Sequence, residues 1–161
     1  MLFLSNDRNF IYWVYKIKVM NPILRNVLAV IAGIFIGGLV NMGLIVLSPT
    51  LIPPPAGVNP ADPESLKANI HLFEAKHFVM PFLAHALGTL VGALVAALIA
   101  ATHKMKMALI IGAFFLFGGI MMVLQVPSPM WFNIVDLVGA YFPMAWLGGK
   151  FGGAKQKKQL I

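Results

Sequence analysis

The sequence predicts an all-α integral membrane protein, a four-helix bundle with an extracytoplasmic amphipathic helix between its first two spans. Three observations carry that expectation. Hydrophobic residues fill 60% of the 161 positions and charged ones 11%, with a mean hydropathy of +0.86, whereas a water-soluble domain is about a quarter charged. Four stretches are long and apolar enough to cross about 30 Å of hydrocarbon at about 1.5 Å per residue. The cations fall almost wholly on one side of a chain threaded through those four spans. Such hydrophobicity excludes a disordered chain. The lack of cysteine excludes disulfides, a thiolate nucleophile and Cys-ligated zinc or iron–sulfur clusters.

The predicted organisation is a cytoplasmic segment 1–26, a single membrane domain 27–149 and a basic cytoplasmic tail 150–161. Within the first segment, Phe10 to Val19, with Tyr12, Trp13, Tyr15, Lys16 and Lys18, suit a short interfacial segment of aromatics and cations. Alternatively Met20 is the initiator and residues 1–19 are an extension. Span one runs from about Val27 to Leu47. Arg25 before an apolar run has the look of a signal peptide, but no small-x-small cleavage site precedes Pro49, so the run reads as a retained span.

Spans two, three and four run from about Val79 to Ala101, Met107 to Val126 and Trp131 to Gly149. Thr102 to Lys106 makes a short polar turn after span two. Pro127-Ser128-Pro129 breaks the chain after span three, since proline donates no backbone hydrogen bond. Arg8, Lys16, Lys18, Arg25, Lys104, Lys106, Lys150, Lys155, Lys157 and Lys158 then share one side, against Lys67 and Lys76 on the other. The positive-inside rule makes the first side, with both termini, cytoplasmic. In this setting the tail, Lys155 to Lys158, meets anionic lipid headgroups rather than nucleic acid. Trp131, Phe132 and Trp146 suit interfacial aromatic belts.

The one sizeable loop, Ser48 to Phe78, opens with Pro49, Pro53, Pro54, Pro55 and Gly57, read as an extended, non-helical start. A helix is predicted next, with Asp62 as N-cap, Pro63 at its first position and Glu64 in its first turn. Leu66, Ile70, Phe73 and His77 follow on one face, at helical spacing, and Pro81 marks the entry into span two. This helix carries His71, Glu74 and His77, the one cluster with metal-ligand residue types. Their arc of about 120° lets two neighbours share an ion more readily than all three, and the plainer reading is a wet interfacial face.

Asp136 is the sole acid within a span, and a carboxylate at that depth needs a partner or a proton. Asn41, His85 and Asp136 all stand about 8 to 9 Å below the outer boundary, counted at 1.5 Å per residue. Asn133 lies one turn above Asp136 and Thr89 one turn below His85. Two readings of this layer stay open: a hydrogen-bonded network that sets helix register, or a proton relay or ligand site. A His–carboxylate pair of this kind can titrate or merely hydrogen-bond. Gly33-x-x-x-Gly37 and Gly88-x-x-x-Gly92 predict close helix contact, within the chain or in a homo-oligomer. Gly112, Gly119 and Gly139 serve the same end, while Phe114, Phe115, Phe117, Met121 and Met122 face lipid or fill gaps.

The strings His71-Leu-Phe-Glu-Ala-Lys-His77-Phe, Ala84-His85-Ala-Leu-Gly88-Thr89-Leu-Val-Gly92 and Asp136-Leu-Val-Gly-Ala-Tyr141, with the ending Met144-Ala-Trp-Leu-Gly-Gly-Lys150, resemble those of small uncharacterised bacterial four-span inner-membrane proteins. The resemblance covers about Met20 to Gly149 and implies topology without an activity. Small multidrug-resistance transporters share the size but rely on an acid in span one, where this chain has only Asn41. Four-helix cytochromes need facing axial His pairs, and His85 is the sole His within a span.

The reading preferred on these grounds is a non-enzymatic accessory or small-solute-handling membrane component without a cofactor. One alternative is an oligomeric proton-coupled transporter or channel using Asp136 and His85. The other is a metal- or haem-binding oxidoreductase component drawing on His71, Glu74, His77 and His85.

Overall fold

The computed structural model describes residues 20–126 and 128–154. The predicted interfacial segment of 1–19, the break at Pro127 and the cations Lys155, Lys157 and Lys158 lie outside them. The described residues fold as helices: α1 (Pro22–Leu51), α2 (Pro63–Asn69), two 3₁₀ turns (Ile70–Leu72 and Ala75–Phe78), α3 (Val79–Ile99), α4 (Lys104–Gln125), α5 (Met130–Gly139) and α6 (Phe142–Phe151). Among the described residues, three helical segments are long and apolar enough to cross a membrane: Pro22–Leu51, Ala75–Ile99 and Lys104–Gln125.

Small residues let α3 sit at the centre. Its buried face consists largely of Ala84, Gly88, Thr89, Gly92, Ala93, Ala96 and Ala97, so three other helices approach its backbone closely. A Cβ added at Gly33 would meet the Gly92 carbonyl at 2.6 Å, and one at Gly37 the Gly88 carbonyl at 2.6 Å. The two glycine pairs therefore face each other across α1 and α3. Gly148 of α6 sits against Leu90 and Ala93 in the same way, and Gly112 of α4 against Ala145. The large apolar side chains point outward instead: Ile31, Phe35 and Leu39 on α1, and Phe114, Phe117 and Leu124 on α4, are exposed. A molecule with small residues inside and large apolar ones outside suits hydrocarbon as its solvent.

Charge divides the two ends. Arg25 Nε donates to the Ile99 carbonyl at 2.7 Å and Lys104 Nζ to the Gly152 carbonyl at 3.0 Å, which gathers Arg25, Lys104, Lys106 and Lys150 at one end. Asn26 secures the turn there, its Oδ1 accepting from the Ala101 and Thr102 amides and its Nδ2 donating to Thr102 Oγ1. Lys104 to Lys106 belong to the first turn of α4 rather than to the connecting turn. The loop with Asp62, Glu64, Lys67, Glu74 and Lys76 occupies the opposite end.

Four sequence expectations need correction. α1 continues through Pro49 to Leu51, because a proline in a last turn removes a single helix bond near an end that is already partly unsatisfied. The loop helix starts as expected, with Asp62 accepting from the Glu64 and Ser65 amides, but it is short. Phe73 and Glu74 are extended, and Glu74 starts a new turn, its side chain capping the His77 amide while His77 caps its own. That local capping replaces a continuous amphipathic helix. Phe132 is buried against Phe78, with ring centroids 4.8 Å apart, so only Trp131 and Trp146 remain exposed as belt residues.

The fourth correction bears on the site. The stretch predicted as span four is two ten-residue helices, broken at Ala140 and Tyr141. Pro143 explains the position. In a continuous helix its missing amide would have bonded the Gly139 carbonyl, and its ring would press on that carbonyl. Restarting the helix at Phe142 puts Pro143 in a first turn, where neither problem arises.

Candidate functional site

Asp136 is buried on α5, with a side chain 4% exposed, and accepts three short contacts. His85 Nδ1 on α3 lies 2.9 Å from each of its carboxylate oxygens, and the Tyr141 hydroxyl donates to Oδ2 at 3.1 Å. The imidazole and phenol rings stack, with centroids 5.8 Å apart and planes at 28°. Each group is placed by its local backbone. Thr89 spends its hydroxyl on the His85 carbonyl at 2.7 Å. Tyr141 reaches back to Asp136 because the helix breaks between them, since five residues along an unbroken helix turn a side chain to another face.

The triad answers the cost of a carboxylate among apolar helices, because a partnered charge keeps hydrogen bonds in place of water. With Asp136 ionised it only accepts, so Nδ1–H donates and the other ring nitrogen, Nε2, is free to accept from, or when charged donate to, another molecule. Among the described residues Nε2 has no hydrogen-bond partner. No buried side-chain nitrogen or oxygen among them is unsatisfied, so Nε2 is accessible.

The His85 side chain lines a cavity of about 620 Å³, within the range of small-molecule sites. Asp136 lines it too. Ile45 of α1, Val123 of α4, Pro81 of α3 and Phe132 of α5 contribute to its walls, and Leu66, Ile70 and Phe73 reach it from the loop. The predicted apolar face of the loop helix thus meets one cavity although the helix itself is interrupted. Among the described residues the lining is mainly apolar and contains no lysine or arginine.

The remaining members of the predicted polar layer lie elsewhere. Asn41 packs its Cβ beside Gly88 and hydrogen-bonds to neither His85 nor Asp136. α1 extends beyond Leu47, so counting from that boundary misjudged its level. Asn133 turns toward Ser128, whose Oγ donates to Asn133 Oδ1 and whose carbonyl accepts from Nδ2, and Asn133 makes no hydrogen bond with Asp136. The metal candidates do not converge either. The interrupted helix separates His71 from Glu74 and His77, the Glu74 amide donates to His77 Nδ1 at 2.9 Å, and no group of three His, Asp or Glu gathers among the described residues.

Tyr141 is the member that sequence reasoning missed. Its spacing from Asp136 argues against a shared face, and the available clue was Pro143, four residues after Gly139. A second clue was Gly119, whose missing side chain makes room for the Tyr141 ring. Compared with known proteins, the chain matches no family model, no curated protein and no solved structure.

Proposed function

We propose that this chain is a multi-pass bacterial inner-membrane protein that handles a small solute, without covalent catalysis, in the cavity above His85. In this reading α5 and α6 together form a fourth crossing, their 22 positions from Met130 to Phe151 matching about 30 Å of hydrocarbon. The basic end faces the cytoplasm with both termini, and the loop covers the outer side. The observation that carries the functional reading is His85, held by Asp136 through Nδ1 and lining a mainly apolar cavity whose other polar lining residues are Ser48, His77, Ser128 and Asp136 itself. Such a pocket, mainly apolar with a few placed polar groups, has the general form of a ligand site.

A chain without cysteine makes the topology simple to test. Single Ala68→Cys and Ala154→Cys variants in intact spheroplasts should react oppositely with a membrane-impermeant maleimide, Ala68 being labelled and Ala154 protected. For function, Ile45→Trp is chosen to fill the cavity without touching the triad. It should abolish solute binding measured on purified protein in lipid nanodiscs while preserving cooperative thermal unfolding. Binding unchanged in a folded Ile45→Trp protein would refute the site.

The second reading, proton-coupled transport, is favoured by the helix break directly beside an intramembrane acid. Interrupted helices and buried carboxylates recur together where ions cross membranes. In proteoliposomes it predicts an Asp136→Asn protein that is folded but without proton-driven flux, whereas a binding component shows no flux in either form.

A further inference from the structure

The side walls of the cavity reveal where its ligand comes from and what kind it is. Ile45 and Val123 face it from opposite helices, and so do Met42 and Val46 of α1 and Met122 of α4. The last three are also 61%, 69% and 50% exposed, and Met42 and Val46 continue at helical spacing the exposed stripe of Phe35 and Leu39 on α1. Lining residues this exposed are left uncovered by the other described residues, so among these the seam between the outer halves of α1 and α4 is an open edge of the cavity. On those two helices the surrounding surface is apolar, with Leu39 and Phe117 also exposed, and therefore faces hydrocarbon in a membrane. On the opposite side, Leu66, Ile70 and Phe73 bring the loop over the cavity.

We infer that the cavity takes an uncharged, membrane-dissolved lipophile whose head bears one hydroxyl or carbonyl oxygen, entering sideways between α1 and α4 and ending at His85 Nε2. This rests on the proposed solute site and adds its ligand class and route. The head is neutral because the lining offers no lysine or arginine to an anion, and Asp136 stands directly behind His85. One hydrogen-bonding group is assigned because, of the polar lining groups, Ser128 Oγ is taken by Asn133 and His77 Nδ1 by the Glu74 amide, while His85 Nε2 beside the buried Asp136 has no partner among the described residues. A hydroxyl donates to it when the ring is neutral, and a carbonyl accepts from it when the ring is charged. The remainder of the ligand is apolar because the walls are, and a polar body would lose its water without replacement.

The test uses the full chain in lipid nanodiscs with ¹⁵N-labelled histidine, and His85→Gln identifies the His85 signal. Dodecan-1-ol is the probe, with dodecanoate at pH 9 as the charged counterpart and glycerol as the water-borne one. The expected result is a saturable shift of the His85 signal with dodecan-1-ol and none with the other two. Val46→Trp, which narrows the open edge at an exposed position and leaves the triad alone, should weaken that response roughly tenfold, about the loss of one good contact. A dodecanoate or glycerol response with no dodecan-1-ol response would overturn the ligand class while leaving a solute site standing. A full dodecan-1-ol response in a folded Val46→Trp protein would overturn the lateral route. No response to any of the three would remove both this inference and the solute site beneath it.

Discussion

The Tyr141 hydroxyl and the Asp136 carboxylate are joined at 3.1 Å across a five-residue interval that an unbroken helix would turn to different faces. This bond exists because α5 stops at Gly139 and α6 starts at Phe142. It makes Asp136 an acceptor from two sides, His85 on α3 and Tyr141 at the break.

Tyr141→Phe tests that bond with little change of shape. Asp136 keeps His85, so the fold should survive with about 1.5 to 3 kcal/mol less stability, the range for hydrogen bonds to charged groups. Denaturant unfolding of the purified protein measures it, and an unchanged midpoint would mean that Tyr141 contributes by packing alone.

Asp136 carries more. Asp136→Leu leaves both His85 Nδ1 and the Tyr141 hydroxyl without their acceptor, at about 1 to 3 kcal/mol for each orphaned group. Asp136→Asn retains an oxygen acceptor and should be the milder change. Thermal unfolding that ranks wild type, Asn and Leu in that descending order supports the triad as drawn. An Asn variant less stable than Leu would contradict it.

Adjacent glycines provide an internal control. A Cβ on Gly119 would overlap the Tyr141 ring, which is 1% exposed and has nowhere to move, whereas one on Gly118 meets nothing within 4 Å. Gly119→Ala should cost about 1 to 3 kcal/mol through overpacking. Gly118→Ala should be neutral or stabilising by up to about 1 kcal/mol, from helix propensity. Gly37→Ala against Gly38→Ala repeats the contrast at the α1–α3 contact, since only the first meets a backbone carbonyl, at 2.6 Å.

Pro143→Ala restores the missing amide and removes the ring that presses on the Gly139 carbonyl. The expected result is a straighter α5–α6 segment with Tyr141 drawn off Asp136, visible in a crystal structure or as slower hydrogen exchange at the Tyr141 and Phe142 amides, which gain helix acceptors. A break that persists in the alanine variant would assign it to the fit of Tyr141 against Gly119 instead.

Much of this architecture was legible in the residues themselves. Length and hydropathy require apolar helices, because a backbone in hydrocarbon must satisfy its own hydrogen bonds. Gly33, Gly37, Gly88 and Gly92 announce a close contact because a missing side chain leaves room for another backbone. His85 and Asp136 stand out together in the sequence because polar groups at one depth have few other partners available. Each of these inferences rests on spacing along a regular helix, which 1.5 Å and 100° per residue make calculable.

What could not be calculated is everything that depends on an irregularity. Tyr141 joins Asp136 only through the break before Pro143, and Asn41 drops out of the layer because α1 runs on past Pro49. The cavity is a property of no single segment, since α1, α3, α4, α5 and the loop each supply part of its boundary. Local sequence states which residues prefer helix and which prefer apolar surroundings. Where two helices part enough to leave a space is set by the sum of packing between segments distant in the chain, and that sum has no local signature.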